Sequence, residues 1–353
     1  MTKELSILEA KFEAQKLAFG PIYFQAVISM KELGILPLIG KHRMGIDVEH
    51  IASTLGINPY GVGVLVEAAL NAGVLELIED NKYKLTKVGV MLNSDELTRV
   101  NLNFVNDVCY DAAKYTTDSI RKSKPEGLKV FGPWATVYEG LSQLPDKIKK
   151  SWFEFDHYYS DDAFKSALEI VFEENPKTLF DIGGNTGKWS IACCKYNQAV
   201  QVKILDLPGQ IAVAKKNVED EGLIGRVDFH EINLLDTGQK IPAGADAVWM
   251  SQFLDCFSES EITNILKNVH QAVTPEASVY ILETFIDNQK YPAAAYSLTA
   301  TSLYFTTVAN GNSKMYSEAK MLELARNAGF ELEVSYPLIG HSYHTVLKLR
   351  KTK

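Results

Sequence analysis

The chain has 353 residues, of which 46 % are apolar and 23 % charged, with a formal net charge of −8. That is too long for one ordinary core and suits two domains, and the composition is that of a folded chain rather than a disordered one. The acidic balance argues against broad affinity for nucleic acid or anionic membranes, no apolar run approaches the ~18 residues of a membrane span, and MTKELSILEAKFEAQKL at the N-terminus lacks a signal-peptide core, so a cytoplasmic protein is expected.

The N-terminal stretch alternates charge with apolar residues as an amphipathic helix does. After it, residues 44–57 (MGIDVEHIASTLGI) predict a helix with Asp47 as N-cap, and residues 58–75 a second helix closed by Gly73. VLELIED-NKYKLT, residues 74–86, alternates as two short strands turning at Asp80–Asn81. Helix, turn, helix and two-stranded wing form a winged-helix pattern. Such a unit reads DNA through Lys or Arg on its second helix, yet residues 58–73 hold neither, and Glu67 sits in their middle. A packing or dimerisation module is expected, not a DNA reader.

Residues 102–172 read as helical and are rich in aromatics: Tyr110, Tyr115, Trp134, Tyr138, Trp152, Phe153, Phe155, Tyr158 and Tyr159. They suit interdomain packing or the wall of a pocket for a flat ligand. From about residue 176 the period changes. KTLFDI, QVKILDL, RVDFHEI, ADAVWMS and SVYILET are short apolar strands, separated by predicted helices at 188–197, 208–221 and 259–273. Strand alternating with helix means a parallel sheet covered on both faces, and the tail FELEVSYPLIGHSYHTVLKLRK reads as an antiparallel pair at its edge. The organisation expected is therefore residues 1–100 as a winged-helix-like dimerisation domain, 101–172 as a helical linker and substrate-pocket region, and 173–353 as an α/β domain of Rossmann-like type. The four cysteines, Cys109, Cys193, Cys194 and Cys256, fit neither a zinc site nor a disulfide framework. No metal is expected.

LFDIGGNTGKWS joins the first strand of the α/β part to its first helix, and Gly183, Gly184 and Gly187 allow a tight turn and close approach of a ligand. A phosphate loop requires Lys followed by Ser or Thr after the last glycine, and here Lys188 precedes Trp189. The spacing is not G-x-G-x-x-G either. Asp181, two residues before the first glycine, would repel a pyrophosphate but suits a ligand with a cationic end. Asp206, which follows Gly187 by 19 residues, stands where an acid accepts ribose hydroxyls in dinucleotide binders. An adenosine with a charged amino-acid tail and no phosphate satisfies both acids. S-adenosylmethionine is that molecule.

With these motifs the sequence resembles the class I methyltransferases, and within them the small-molecule O-methyltransferases with an N-terminal winged-helix dimerisation domain. The resemblance spans nearly the whole chain, from ISMKELGILPLI and LTKVGVML through VFGPWATVYEGL and DIGGNTG to ARNAGF. It implies a mostly parallel seven-stranded sheet, and a domain-swapped homodimer with the helix at residues 5–32 among its contacts. It also implies S-adenosyl-L-methionine as cofactor, giving S-adenosyl-L-homocysteine, and a small, aromatic methyl acceptor. Carried over, the three glycines line the methionine and ribose side, and Asp206, with Leu207 beside it, takes the ribose. Asn233 and Leu234 stand where the family has an Asp followed by an aromatic for the adenine, and Ser251 where a basic residue often lies.

The family's His-Asp-Trp triplet after the fourth strand, whose His is the general base, is here Asp255, Cys256 and Phe257. A second family acid is replaced by Met315, and a third is kept as Glu283. A phenol of pKa ~10 still has to lose its proton, and an unperturbed Asp at ~3.9 matches that task poorly. Apolar Phe253, Leu254 and Phe257, with the like charge of Glu283, would raise the pKa of Asp255 and let the pair share one proton. An N-cap role for Asp255 is redundant, because Ser258 with Glu261 already forms a capping box. Asp255 is the expected proton acceptor and Glu283 its partner. His157 is a substitute from another segment, and His341 and His344 are weaker ones. Loss of the His base also fits a family member that binds the cofactor but hydroxylates or decarboxylates its substrate. A winged-helix regulator sensing S-adenosylmethionine is the remaining alternative.

Overall fold

The computed structural model describes residues 4–160 and 163–352, with the side chains of Asp80, Tyr159 and Ser160 outside the description. The chain forms two compact units, Met1–Asp107 and Val108–Lys353.

In the first unit, α1 (Ile7–Glu32) begins with a capping box between Ser6 and Glu9. Helices α2 (Ile35–Lys41), α3 (Val48–Leu55) and α4 (Pro59–Asn71) follow. Asp47 caps α3 by accepting the His50 N–H at 2.8 Å, and Pro59 at the start of α4 loses no hydrogen bond there. Strands β1 (Leu75–Ile78) and β2 (Lys82–Leu85) pair antiparallel from Leu75↔Leu85 to Ile78↔Lys82, turning through Asn81 at φ +55°. This is the expected winged helix, and α5 (Lys87–Ser94) and α6 (Glu96–Phe104) complete the unit. Its core gathers Met30, Ile35, Leu36, Ile39, Ile51, Val62 and Val66. The N-terminal two thirds of α1 take no part in that core: Ile7, Leu8, Phe12, Leu17 and Ile22 are each more than half exposed. Among the described residues no single helix is long and apolar enough to cross a membrane.

The second unit opens with α7 (Thr116–Lys122), α8 (Val137–Gly140), α9 (Asp146–Ser160) and α10 (Phe164–Phe172). The helical character expected of residues 102–172 is thus broken between 123 and 136, where Pro125, Gly127, Gly132 and Pro133 interrupt it. There the Trp134 indole lies so close to Gly132 and Gly140 that a Cβ on either would fall within 2.5 Å of its ring.

The α/β part runs β3 (Thr178–Ile182), α11 (Lys188–Tyr196), β4 (Gln201–Asp206), α12 (Pro208–Asp220), β5 (Val227–Glu231), β6 (Ala247–Ser251), α13 (Glu259–Ala272) and β7 (Ser278–Glu283). It ends with α14 (Pro292–Tyr304), α15 (Glu318–Asn327), β8 (Phe330–Ile339) and β9 (His344–Lys351). One seven-stranded sheet results, ordered β5-β4-β3-β6-β7-β9-β8, parallel except for β9 and β8. Its strands are apolar on both faces because helices cover both. Leu179, Trp249 and Tyr280 pack toward α10, α11 and α12, where Cys193 and Cys194 are small apolar filling. Phe180, Met250 and Ile281 pack toward α13 and α15. Strand order reverses beside β3, so the carboxyl ends of β3 and β6 border the crevice where open α/β sheets bind ligands.

Candidate active site

The turn after β3 is fixed by its backbone. Gly183, Asn185 and Gly187 have φ of +74°, +48° and +80°, a region that glycine enters without steric cost. The Gly183 N–H donates to Leu205 O at 2.9 Å and the Gly187 N–H to Gly184 O at 2.8 Å. A Cβ on Gly183 would lie 2.2 Å from the Phe253 ring, and one on Gly184 2.9 Å from Asp181 Oδ2. The loop is therefore packed from below by two side chains that matter elsewhere in the site.

Asp181 is buried, and its Oδ2 accepts the Ser190 hydroxyl at 2.6 Å. Burial pushes its pKa up to about 7; the Ser190 hydroxyl and N–H oppose that, and the Asp206 charge adds to it. Asp206 ends β4 and ties the glycine loop to it, accepting the Asn185 N–H on Oδ2 at 2.8 Å and the Leu207 N–H on Oδ1 at 2.7 Å. Burial raises its pKa as well. An ionised carboxylate has about four acceptor positions, so each oxygen of Asp206 keeps one for a ligand hydroxyl. Leu207 is exposed, at the start of α12. Past β5, Asn233 is exposed, its N–H donating to Gln239 Oε1 and its Oδ1 accepting the Leu235 N–H; Leu234 is half-buried against the core. Ser251 is the half-buried last residue of β6.

The ends of β6 and β7 are organised differently. Gln252, at φ +46°, turns the chain out of β6 into a single 3-10 turn, Leu254–Cys256. Glu283 follows Val279 and Ile281 on the α13 side of β7, because alternate strand residues share a face. Its Oε1 accepts the Phe253 and Leu254 N–H groups at 3.1 and 3.0 Å. Its Oε2 is buried with no hydrogen-bond partner among the described residues. Asp255 is 8 % exposed. The Cys256 thiol donates to its Oδ1 at 3.5 Å, and the Tyr138 hydroxyl donates to the Cys256 sulfur. Burial lifts the Asp255 pKa to about 6. Glu283 is held well above the carboxylate range, first by burial and then by the Asp255 charge. The segment is pinned from outside: Asn310 donates to Cys256 O, and the Tyr316 hydroxyl to Phe257 O at 2.7 Å. Ser258 and Glu261 form the capping box of α13, so Asp255 caps nothing.

The histidines separate clearly. The His157 ring, half-buried on α9, stacks on Phe153 with centroids 5.8 Å apart. Five residues earlier on that helix, Trp152 Nε1 donates to the Tyr304 hydroxyl at 2.7 Å. His341 is exposed. His344 is fully buried in the sheet, neither ring nitrogen has a partner, and burial lowers its pKa to about 3. It is a neutral core side chain with no proton-transfer partner. Met315 is buried, its N–H donating to Ser302 Oγ at 3.1 Å.

Sequence reading passed over Tyr138, Tyr304 and Asn310 as members of this cluster. Tyr138 lies inside the family-like segment VFGPWATVYEGL, which was a usable signal. Tyr304 and Asn310 follow Cys256 by some 50 residues and carried none.

A family model described as the O-methyltransferase domain matches residues 117–331, and one described as a Dimerisation2-like domain matches residues 11–83. The chain is 22 % identical to demethylspheroidene O-methyltransferase of Cereibacter sphaeroides, over 88 % of this chain and 79 % of that one. It is 24 % identical to 3-hydroxy-5-methyl-1-naphthoate 3-O-methyltransferase of Streptomyces sahachiroi, over 80 % and 79 %. Its fold superposes on the apo crystal structure of the S-adenosylmethionine-dependent methyltransferase SibL with a TM-score of 0.72 and 22 % identity, covering 96 % of this chain and 98 % of the other. A glycine loop tied to Asp206, at the switch point of a seven-stranded sheet, and a family match over most of the chain lead to one conclusion: this protein belongs to the O-methyltransferase family, whose methyl donor is S-adenosylmethionine.

Proposed function

We propose that the chain methylates a hydroxyl of a small aromatic metabolite, with Asp255 as proton acceptor in place of the family's histidine. The observation that carries this reading is the buried pair Asp255–Glu283, set at the ends of β6 and β7 and joined to the glycine loop through Phe253. The residues present fit the cofactor. Asp206 retains acceptor positions for a ribose diol, Gly183, Gly184 and Gly187 admit close approach, Asn233, Leu234 and Ser251 offer polar and apolar edges for the adenine, and Leu207 flanks it. Asp181 supports this site from beneath, through Ser190 and the loop.

When bound, S-adenosylmethionine supplies an electrophilic methyl group and leaves as S-adenosylhomocysteine. Much of the rate then comes from holding the acceptor oxygen in line. The protein's own task is the proton. A carboxylate whose pKa is about 6 is a far better base toward a phenol than one at ~3.9, because general-base efficiency peaks when the pKa lies near working pH. Glu283 holds the turn through the Phe253 and Leu254 N–H groups and, by like charge, keeps Asp255 ready to take a proton. His157 is the alternative base, one turn along α9 from its stacking partner Phe153. The exposed apolar face of α1, within the matched dimerisation domain, supports a homodimer.

Mass spectrometry of the protein incubated with S-adenosylmethionine and a panel of phenols and catechols tests the reading. A product heavier by one methyl, with release of S-adenosylhomocysteine, is expected. Gain of oxygen or loss of carbon dioxide with the cofactor unconsumed would replace it with the non-methylating alternative that loss of the histidine also fits.

A further inference from the structure

The polar wall beyond Asp255 is rich in acids and acceptors. The Tyr138 hydroxyl is spent on Cys256, and the Cys256 thiol on Asp255. Tyr304 lies within reach of the fields of Cys256 and Asp156 and accepts from Trp152. Asp156, Asp255 and Glu283 thus stand around a buried group of two phenols and a thiol. None of the groups acting most strongly on Asp255, Glu283, Cys256, Tyr138 or Tyr304 is a lysine or an arginine. The titratable side chain next along α9 is His157, turned onto Phe153. One acceptor in this wall is unmatched: Glu283 Oε2, on a residue only 2 % exposed, has no donor among the described residues. A buried acceptor left without a donor is costly, so a ligand that brings a donor is favoured there.

Resting on the methyl-transfer reading above, we infer that the acceptor carries a basic nitrogen, and that the Asp255–Glu283–Asp156 wall selects an amine-bearing arene over one bearing a carboxylate. A cationic or neutral amine supplies the missing N–H donor and meets negative charge in a low-dielectric setting, where opposite charges attract far more strongly than in water. A carboxylate brings a further acceptor and like charge to a site that already holds three acids. An arene with neither is intermediate.

The test uses three arenes of similar size: 4-hydroxyphenethylamine, 4-ethylphenol and 4-hydroxyphenylpropionate. Binding is read by calorimetry on the protein saturated with S-adenosylhomocysteine, and kcat/KM by release of S-adenosylhomocysteine. The amine is expected to exceed the carboxylate by about tenfold or more in both, with 4-ethylphenol between. The ratio should shrink in Glu283→Gln and in Asp156→Asn, and since it compares two ligands on one protein, a general loss of activity does not mimic that change. A smaller preference, a preference for the carboxylate, no binding of any of the three, or a ratio that neither variant moves would overturn the inference. Methylation of 4-ethylphenol alongside such a result leaves the methyl-transfer reading intact. Preferential binding of the amine without any methylation does the reverse.

Discussion

The site has two halves built on opposite terms. On the β3–β4 side, position is set by main chain: glycines at positive φ, and Asp206 accepting two backbone N–H groups. On the β6–β7 side, position is set by side chains, and the acids are left incompletely matched, with one Glu283 oxygen unpartnered. The first half is satisfied before any ligand arrives. The second carries an electrostatic cost that only a proton or a ligand relieves. Binding is thus assigned to a rigid, neutral-cost frame and chemistry to a strained one, the division expected where function is paid for in stability.

Changes on the two sides should therefore fail in different ways. Asp255→Asn keeps size and burial but removes the proton acceptor, so kcat should fall about 10²–10⁴-fold while affinity for S-adenosylhomocysteine is retained; equal turnover would return the base role to His157. Gly183→Ala should do the opposite. Its Cβ meets the Phe253 ring at 2.2 Å and its φ is +74°, so overpacking and left-handed strain together should cost about 2–5 kcal/mol, seen as a lower denaturation midpoint and weakened cofactor binding. If stability held and only turnover fell, the loop would not be the rigid half.

The pH profile sharpens the contrast. Asp255 must be ionised to accept a proton, so kcat should rise with pH through about 6. In Glu283→Gln the like charge is gone and this limb should move to lower pH. Stability has the opposite sign. A carboxyl whose pKa is raised on folding holds its proton more tightly in the native state. Its contribution is thus greatest below the unfolded value of ~3.9 and is lost as pH rises toward the folded value. Urea melts should show that decline in the wild type and a smaller one in Asp255→Asn. The smallest effect is Ser258→Ala, about 1 kcal/mol from loss of an N-cap; no loss would mean that Asp255 can cap α13 after all.

Much of this was legible in the chain because it is local. The wing, the caps at Asp47 and Ser258, and the order of strands and helices follow from hydrophobic period and turn chemistry within ten or twenty residues. The glycine loop and the two acids Asp181 and Asp206 were readable for the same reason: a strand, a turn and a helix fix them. Even the redundancy of Asp255 as a cap was visible, since the S-x-x-E box lies beside it. Asp181 is a case where local reading gave position but not engagement, for its carboxylate turned out to be held by Ser190 on α11.

Tertiary structure decided what depends on approach from far along the chain. Three candidate histidines were equivalent as letters, and burial alone made His344 a neutral core residue while leaving His341 exposed. The Tyr138–Cys256–Asp255 chain, the two N–H groups given to Glu283, and the brace from Asn310 join segments between 30 and 120 residues apart. Sequence by itself determined the fold class, the cofactor loop and the presence of an unassigned acid after β6, because periodicity and turn chemistry act over short range. Only the folded chain decided that this acid is buried beside a second one and short of a donor, because desolvation and charge coupling depend on which distant side chains close around a group.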